Sequence, residues 1–190
     1  AGCITQNVGA DDGASDVDSG HGSHTTGSVA GSGAASSGQF KGLAYQASIT
    51  FQAIEQWTDW PVGCPLSDGY YLTGIPADER DLFTQAYGWG ARVHNNSWGA
   101  SVAGLYDQTA ANFDDFVHDY QDMAIGVSAG NEGTDANANG YVDTDSMGSP
   151  GTAKNVITVG ASDNERASGG LSAYTWGQAW PSDFPADPTA

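Results

Sequence analysis

Short apolar segments alternate with amphipathic segments along the chain, and this alternation limits the possible folds more than any other feature. The strand-like segments are 45–54, 91–97, 123–129 and 155–161, and the helix-like segments are 77–87 and 107–121. Strands that alternate with helices usually pair in parallel, in a sheet covered on both faces. The sequence therefore predicts an α/β fold, a three-layer sandwich with a mainly parallel sheet. Ligands of such sheets bind at the carboxyl ends of the strands.

The charge of the chain excludes two classes of partner. The 190 residues contain 23 Asp and Glu but only 5 Lys and Arg, which gives a net charge of -18 at pH 7. A surface this acidic repels nucleic acid and anionic membrane, so we expect neither as a partner. No run of about 18 apolar residues suits a membrane helix. We expect a monomer with a highly soluble surface.

The two cysteines, Cys3 and Cys64, lie far apart in the sequence and form no CxxC pattern. One disulfide in an extracellular protein and two separate thiols are both compatible with this spacing.

A glycine-rich run at 20–31 contains two histidines, His21 and His24, where a helix of small residues could begin. Zinc binding would explain the pair, but the glutamate of HExxH is absent and no third ligand is evident. Packing alone would leave the glycine-rich surroundings unexplained. A neutral imidazole near pH 7 can instead accept a proton and return it, as a general base does.

Two further polar segments follow strand-like segments, Asn95–Ala100 (NNSWGA) and Val127–Gly133 (VSAGNEG). Either one alone could be a strand end and a turn, because Asn and Gly tolerate left-handed backbone.

Together, and in this order, these segments resemble the subtilisin-like serine proteases. Residues 20–31 are similar to the HGTHVAG motif of that family, 95–100 to N-x-S-[LW]-G and 127–133 to AAGNEG, and 42–49 and 150–161 resemble two of its core segments. The resemblance implies that His21 is the general base, that His24 is structural and that the Asn131 side chain donates to the oxyanion. Ser23, Thr25 and Thr26 depart from the motif, but all are small.

The resemblance also implies a substrate-binding site for a peptide or protein. One wall of the pocket for the side chain before the scissile bond would comprise Ser97, Trp98 and Gly99, and the other Ser128, Ala129 and Gly130. Pairing with a peptide backbone supplies affinity without sequence choice, so we expect broad specificity.

Two members of a Ser-His-Asp triad are not evident in the chain. The aspartate should precede the histidine at a strand end and the serine should follow, but the acids at 11, 12, 16 and 18 lie in a polar loop and no G-T-S-M-A segment occurs. We therefore interpret residues 1–190 as a partial catalytic domain, truncated at both ends and inactive alone. The parent protein would be a secreted, extracellular serine endopeptidase.

The loop from Asp135 to Asp143 indicates a structural calcium site. Its sequence matches D-x-[DN]-x-[DN]-G-x-x-D, and the predicted ligands are Asp135, Asn137, Asn139, Tyr141 through its carbonyl, and Asp143. The glutamate usual at the twelfth position is replaced by Ser146. An acidic turn satisfied by water is the alternative. For the whole chain, the alternatives are a non-catalytic peptide-binding module and a calcium-stabilised module with a degenerate protease fold.

Overall fold

A computed structural model of the chain describes residues 6–7, 18–139, 141–161, 174–179 and 181–182. The chain divides into two compact units, Ala1–Ala77 and Asp78–Ala190.

The first unit contains one α-helix and a small antiparallel sheet. Its elements are β1 (Gln6–Asn7), α1 (His21–Ala30), a 3₁₀ turn (Ala34–Ser36), β2 (Gln56–Asp59) and β3 (Gly69–Tyr71). The sheet has the order β1-β2-β3. Trp57 lies opposite Tyr70 in the register, and their rings meet edge to face with centroids 5.4 Å apart, a pairing that stabilises neighbouring strands.

Cys64, in the connection between β2 and β3, forms a disulfide. Of the two arrangements open from the sequence, the structure therefore has a disulfide; the other cysteine, Cys3, lies outside the described residues.

The second unit contains a parallel sheet and two long helices. Its elements are α2 (Arg80–Gly88), β4 (Val93–Asn96), α3 (Gln108–Asp119), β5 (Ala124–Ser128), β6 (Ile157–Val159) and a short helix, α4 (Trp176–Ala179). The strand order is β4-β5-β6, and both pairings are parallel.

The core of the second unit lies between β5 and the two long helices. Ile125 and Val127 alternate with more exposed residues along β5, as expected for a strand with one face against helices. They belong to one buried cluster with Phe83 of α2 and with Phe113 and Phe116 of α3. The Phe83 and Phe113 rings are both fully buried and meet edge to face at 4.6 Å. The middle strand is thereby fixed, and the loops at its carboxyl end start from a rigid support.

The α/β class with a parallel sheet is confirmed, and so are the helices predicted near 21, 77–87 and 107–121 and the last three strands. The strand predicted at 45–54 is wrong, because turns and chain without regular secondary structure occupy that range. Conversely, β2 and β3 lie in the Trp- and Pro-rich segment 56–76, which is outside all of the predicted strands and helices. Among the residues that the structure describes, no helix is both long and apolar enough to cross a membrane.

Candidate active-site cleft

A cleft of about 70 Å³ lies in the second unit at the carboxyl ends of β4 and β5. Three chain segments line it, and they are remote from one another in the sequence: 97–100, 128–132 and 148–149. The first two follow neighbouring parallel strands, so they leave the sheet at the same edge. The cleft is therefore where the fold predicts a ligand site.

Backbone hydrogen bonds join these segments. Ala100 and Ser149 exchange both of their backbone hydrogen bonds, with N–O distances of 2.8 and 2.9 Å. The Gly148 N–H donates to the Ala129 carbonyl at 3.0 Å, and the Ala129 N–H donates to Val159 of β6 at 3.0 Å. The walls of the cleft are thus continuous with the sheet through backbone pairing.

Two carboxylates of the α3 region hold the 149–155 segment in place. Asp107 is the N-cap of α3: its Oδ1 accepts from the Ala110 N–H at 3.0 Å and from the Ser149 hydroxyl at 2.6 Å. Asp114 is buried and accepts from the backbone N–H groups of Lys154 and Asn155, at 2.8 and 2.6 Å. Because Asp114 is buried, moving the segment away would remove hydrogen bonds that satisfy a buried carboxylate.

One acidic side chain lines the cleft. Glu132 Oε2 accepts from the Asn131 backbone N–H at 2.9 Å. The same oxygen lies 2.5 Å from the position that a Cβ on Gly130 would occupy and 3.6 Å from the corresponding position on Gly148. Gly130 also has a φ of +100°, which favours glycine. The Glu132 carboxylate therefore occupies space that is open because Gly130 and Gly148 have no Cβ.

A comparison of the sequence with known protein families identifies the family of the chain. A sequence model described as the subtilase family matches residues 4–184. The chain belongs to the subtilase family.

The curated relatives of this subtilase chain include proteins from two organisms. The chain is 36% identical over 151 residues to the serine protease/ABC transporter B family protein tagD of Dictyostelium discoideum, an alignment that covers 75% of the chain and 7% of that protein. It is 33% identical over 153 residues to tagB of the same organism, covering 77% of the chain and 7% of that protein.

The serine protease AprX of Bacillus subtilis (strain 168) is 29% identical over 165 residues, covering 80% of the chain and 32% of AprX. The chain therefore spans less than a third of the length of these relatives. The subtilase assignment makes it part of a serine protease domain.

The residues predicted from the two substrate motifs lie together. The cleft is lined by Ser97, Trp98, Gly99, Ser128, Gly130 and Asn131. Ala129, which lies between two of them, contributes the backbone hydrogen bonds described above. Asn131 follows β5 and is exposed, so its side chain is accessible from solvent. Sequence reasoning missed Glu132, Gly148 and Ser149; the signal for Glu132 was its place inside the motif.

His21 lies in the first unit, where it is the first residue of α1 and exposed. Gly20 precedes it with a φ of +69°, and the His21 N–H donates to the Ser19 hydroxyl at 3.2 Å. His24 lies one turn later on the same helix and is also exposed. Of the candidate acids, Asp18 is exposed, and Asp11, Asp12 and Asp16 lie outside the described residues.

Hydrogen bonds to its own acidic side chains hold the predicted calcium loop, 135–143, together. Asp135 is buried, and its Oδ1 accepts from the Asn139 N–H at 3.0 Å. Asp143 accepts from the Ala136 N–H at 2.9 Å and from the Asn137 side-chain amide. The Asn139 side chain accepts from the Tyr141 N–H at 2.9 Å. Three of the predicted ligands thus already accept N–H groups. Among the described residues, no three His, Cys, Asp or Glu side chains group closely enough to hold a metal.

One titratable side chain of β4 packs against α2. The His94 ring meets Phe83 edge to face, with centroids 5.0 Å apart. Burial lowers the pKa of His94 from 6.5 to about 4, and the neighbouring Asn96 side chain opposes part of this shift. His94 is therefore neutral at pH 7 and contacts the core through Phe83.

Proposed function

We propose that this chain is the part of a subtilisin-like serine endopeptidase that binds the substrate and supplies two of its catalytic groups. His21 would act as general base and acid, and the Asn131 side chain would donate to the oxyanion. The serine and the aspartate of the Ser-His-Asp mechanism would come from outside this chain, so the chain alone would not hydrolyse peptides.

The observation that carries this proposal is the cleft at the carboxyl edge of β4 and β5. The two segments that resemble the substrate-binding motifs of the family, 97–99 and 128–130, both line it. Ala100 and Ser149 are already paired in an antiparallel manner beside it. An extended peptide next to these segments could add to this pairing, which is how many proteins bind peptides without reading their sequence.

Binding is tested by titrating the ¹⁵N-labelled chain with the blocked neutral peptide acetyl-Ala-Ala-norleucine amide. We expect the amide signals of Trp98, Gly99 and Gly130 to shift together, and those of α2 to stay unchanged. Shifts scattered over the molecule, or none at saturating peptide, would refute the assignment of the cleft.

The catalytic roles are tested in the longer protein that contains this chain. Replacing Asn131 by Ala should lower kcat by about 10²–10³ with little change in KM, which is the range found for such a donor in subtilisin, a member of this family. Replacing His21 by Ala should remove the general base and lower kcat further. Undiminished activity in either variant would contradict the role given to that residue.

We also propose that the 135–143 loop binds a structural calcium ion. Asp135 is buried, and Asp143 lies within the same small loop, so the two negative charges would gain from a cation. For calcium to bind, the amide of Asn137 would have to turn its oxygen inward. The expected result is a higher melting temperature in calcium than in EDTA, and the same melting temperature in both for Asp135→Asn.

An extracellular location is the third part of the proposal. The disulfide at Cys64 supports it, because such bonds persist mainly in oxidising compartments. The acidic surface, which would repel nucleic acid and anionic membrane, fits the same location, and a monomer is the proposed state. Retention of the protein in the cell during fractionation of the native source would contradict this.

The alternative is a peptide-binding module without catalysis. The cleft alone would be enough for that function, whereas His21 and Asn131 would then have no role. The two functions differ in one measurement, because a binding module would keep its full biological effect after His21→Ala.

A further inference from the structure

Ser149 belongs both to the cleft and to a contact with α3. It lines the cleft and is buried, at 3% exposure. Its backbone exchanges two hydrogen bonds with Ala100, at 2.8 and 2.9 Å, and its hydroxyl donates to Asp107 Oδ1 at 2.6 Å. One residue therefore joins the lining of the cleft to the N-cap of the helix.

The acceptor of the Ser149 hydroxyl is itself held in place. Asp107 is the N-cap of α3, and the same Oδ1 accepts from the Ala110 N–H at 3.0 Å. The positive end of the helix dipole favours a carboxylate at this position. Hydrogen bonds to a carboxylate are also stronger than those between neutral groups. Because Phe113 and Phe116 anchor α3 in the core, Asp107 gives Ser149 a fixed point of attachment.

The segment that contains Ser149 is in close contact with the segment opposite it. A Cβ on Gly99 would lie 2.7 Å from the Ser149 carbonyl oxygen, and a Cβ on Gly148 would lie 2.9 Å from the Ala100 carbonyl oxygen. The cleft beside these contacts is small, about 70 Å³. A small displacement of Gly148 and Ser149, the 148–149 wall, would therefore change the shape of the cleft.

The second carboxylate that holds this part of the chain acts farther from the cleft. Asp114 accepts from the backbone N–H groups of Lys154 and Asn155, which are outside the lining of the cleft. Asp107 contacts a lining residue directly. The two acids of α3 therefore differ in what their loss would disturb first.

We propose that Asp107 is a positioning residue for peptide binding, which holds the 148–149 wall in place through the Ser149 hydroxyl. This inference rests on the proposed function, because its ligand is the peptide of that proposal. Without the bond, the peptide would have to order the wall as it binds. Its dissociation constant should then rise about twofold to tenfold, the usual cost of immobilising one side chain on binding.

The experiment measures the dissociation constant of acetyl-Ala-Ala-norleucine amide by the NMR titration described above. Ser149→Ala removes the hydroxyl and leaves the cap of α3. Asp107→Ser keeps a residue that caps helices well but has no carboxylate to accept from Ser149. Both variants and the double variant should weaken binding by the same factor, because each of them breaks the same bond.

Two further variants separate positioning from a general loss of stability. Asp107→Asn keeps a side-chain oxygen as acceptor, so its affinity should stay close to that of the wild type. Asp115→Gly places glycine at an exposed position in the middle of α3, which weakens the helix without touching Ser149. That variant should unfold at a lower urea concentration and still bind the peptide as the wild type does.

Wild-type affinity in Ser149→Ala or in Asp107→Ser would overturn this inference and leave the proposed function intact. Factors that multiply in the double variant would do the same, because the two residues would then act independently. Equal weakening in Asp115→Gly would also overturn it, since Asp107 would then act only through the stability of α3. Absence of peptide-induced shifts at Trp98, Gly99 and Gly130 in the wild-type chain would overturn the proposed function, and this inference with it.

Discussion

Acidification should destabilise the second unit through one buried histidine, His94. The pKa of His94 falls from 6.5 to about 4 on folding because the ring is buried against Phe83. The unfolded chain therefore binds a proton at higher pH than the folded chain. Stability from this residue is fully present above pH 6.5 and is lost as the pH falls from 6.5 towards 4.

The size of the effect follows from the same two values. A shift of one pKa unit corresponds to about 1.4 kcal/mol, so the full shift of the His94 pKa corresponds to about 3 kcal/mol of the free energy of unfolding. Between pH 7.5 and pH 5, about 2 kcal/mol of the free energy of unfolding should be lost through this group. That is a large part of the stability of an ordinary domain, which is about 5–15 kcal/mol.

The assay is urea unfolding at several pH values, followed by the amide NMR signals of Ile125 and Val127. These residues belong to the core of the second unit, so their signals report on that unit. The His94→Gln variant cannot titrate, and its free energy of unfolding should change by about 2 kcal/mol less than that of the wild type between pH 7.5 and pH 5. Equal slopes for the wild type and His94→Gln would refute the reasoning.

Three further substitutions test the packing around the cleft by urea unfolding at pH 7.5. Asp114→Ala should cost about 3 kcal/mol, because it removes a buried carboxylate that accepts from two backbone N–H groups, whereas the exposed Asp115→Ala should cost less than about 0.5 kcal/mol. Gly130→Ala should cost about 1–2 kcal/mol, since alanine is strained at a φ of +100° and its Cβ would displace the Glu132 carboxylate; an unchanged stability would contradict this. Phe113→Ala should cost about 3–5 kcal/mol by opening a cavity in the core, and a loss below about 1 kcal/mol would show that the core is looser than described.

The sequence was a good guide wherever local pattern and tertiary packing agree. α1 begins at His21 as expected, and β4 and β5 lie within the predicted strand segments. In β5 the apolar spacing decides which face is buried, because Ile125 and Val127 lie on the face that meets α2 and α3. The motif residues then fall at strand ends because polar loops begin where the apolar pattern stops.

Strands were predicted poorly from the sequence where a strand forms only if another segment pairs with it. Ile49 and Phe51 have strand propensity, but the structure leaves both residues about half exposed, at 47% and 59%, in chain without regular secondary structure. Strand propensity describes a fit to a pleated surface and does not provide a partner strand. The reverse holds for Trp57 and Tyr70, whose contact exists only because two segments pair across a long connection.

The placement of the Glu132 carboxylate could not be derived from spacing either. Its position depends on the space left by Gly130 and by Gly148, which is 16 residues further along the chain. Only the folded chain brings that second glycine to the carboxylate.

The separation between the aromatic core and the glycine- and serine-rich cleft has a consequence for variation among related proteins. The residues of the buried cluster face the helices, whereas most residues that line the cleft lie past the strand ends; Trp98 does both, because it lines the cleft and its ring meets Phe113 at 6.0 Å. Substitutions at the exposed cleft residues should therefore alter ligand choice at little cost to stability, except at the strained glycine. A library randomised at Ala100 and Glu132 should stay largely folded, and new selectivities could be found in it without compensating changes in the core.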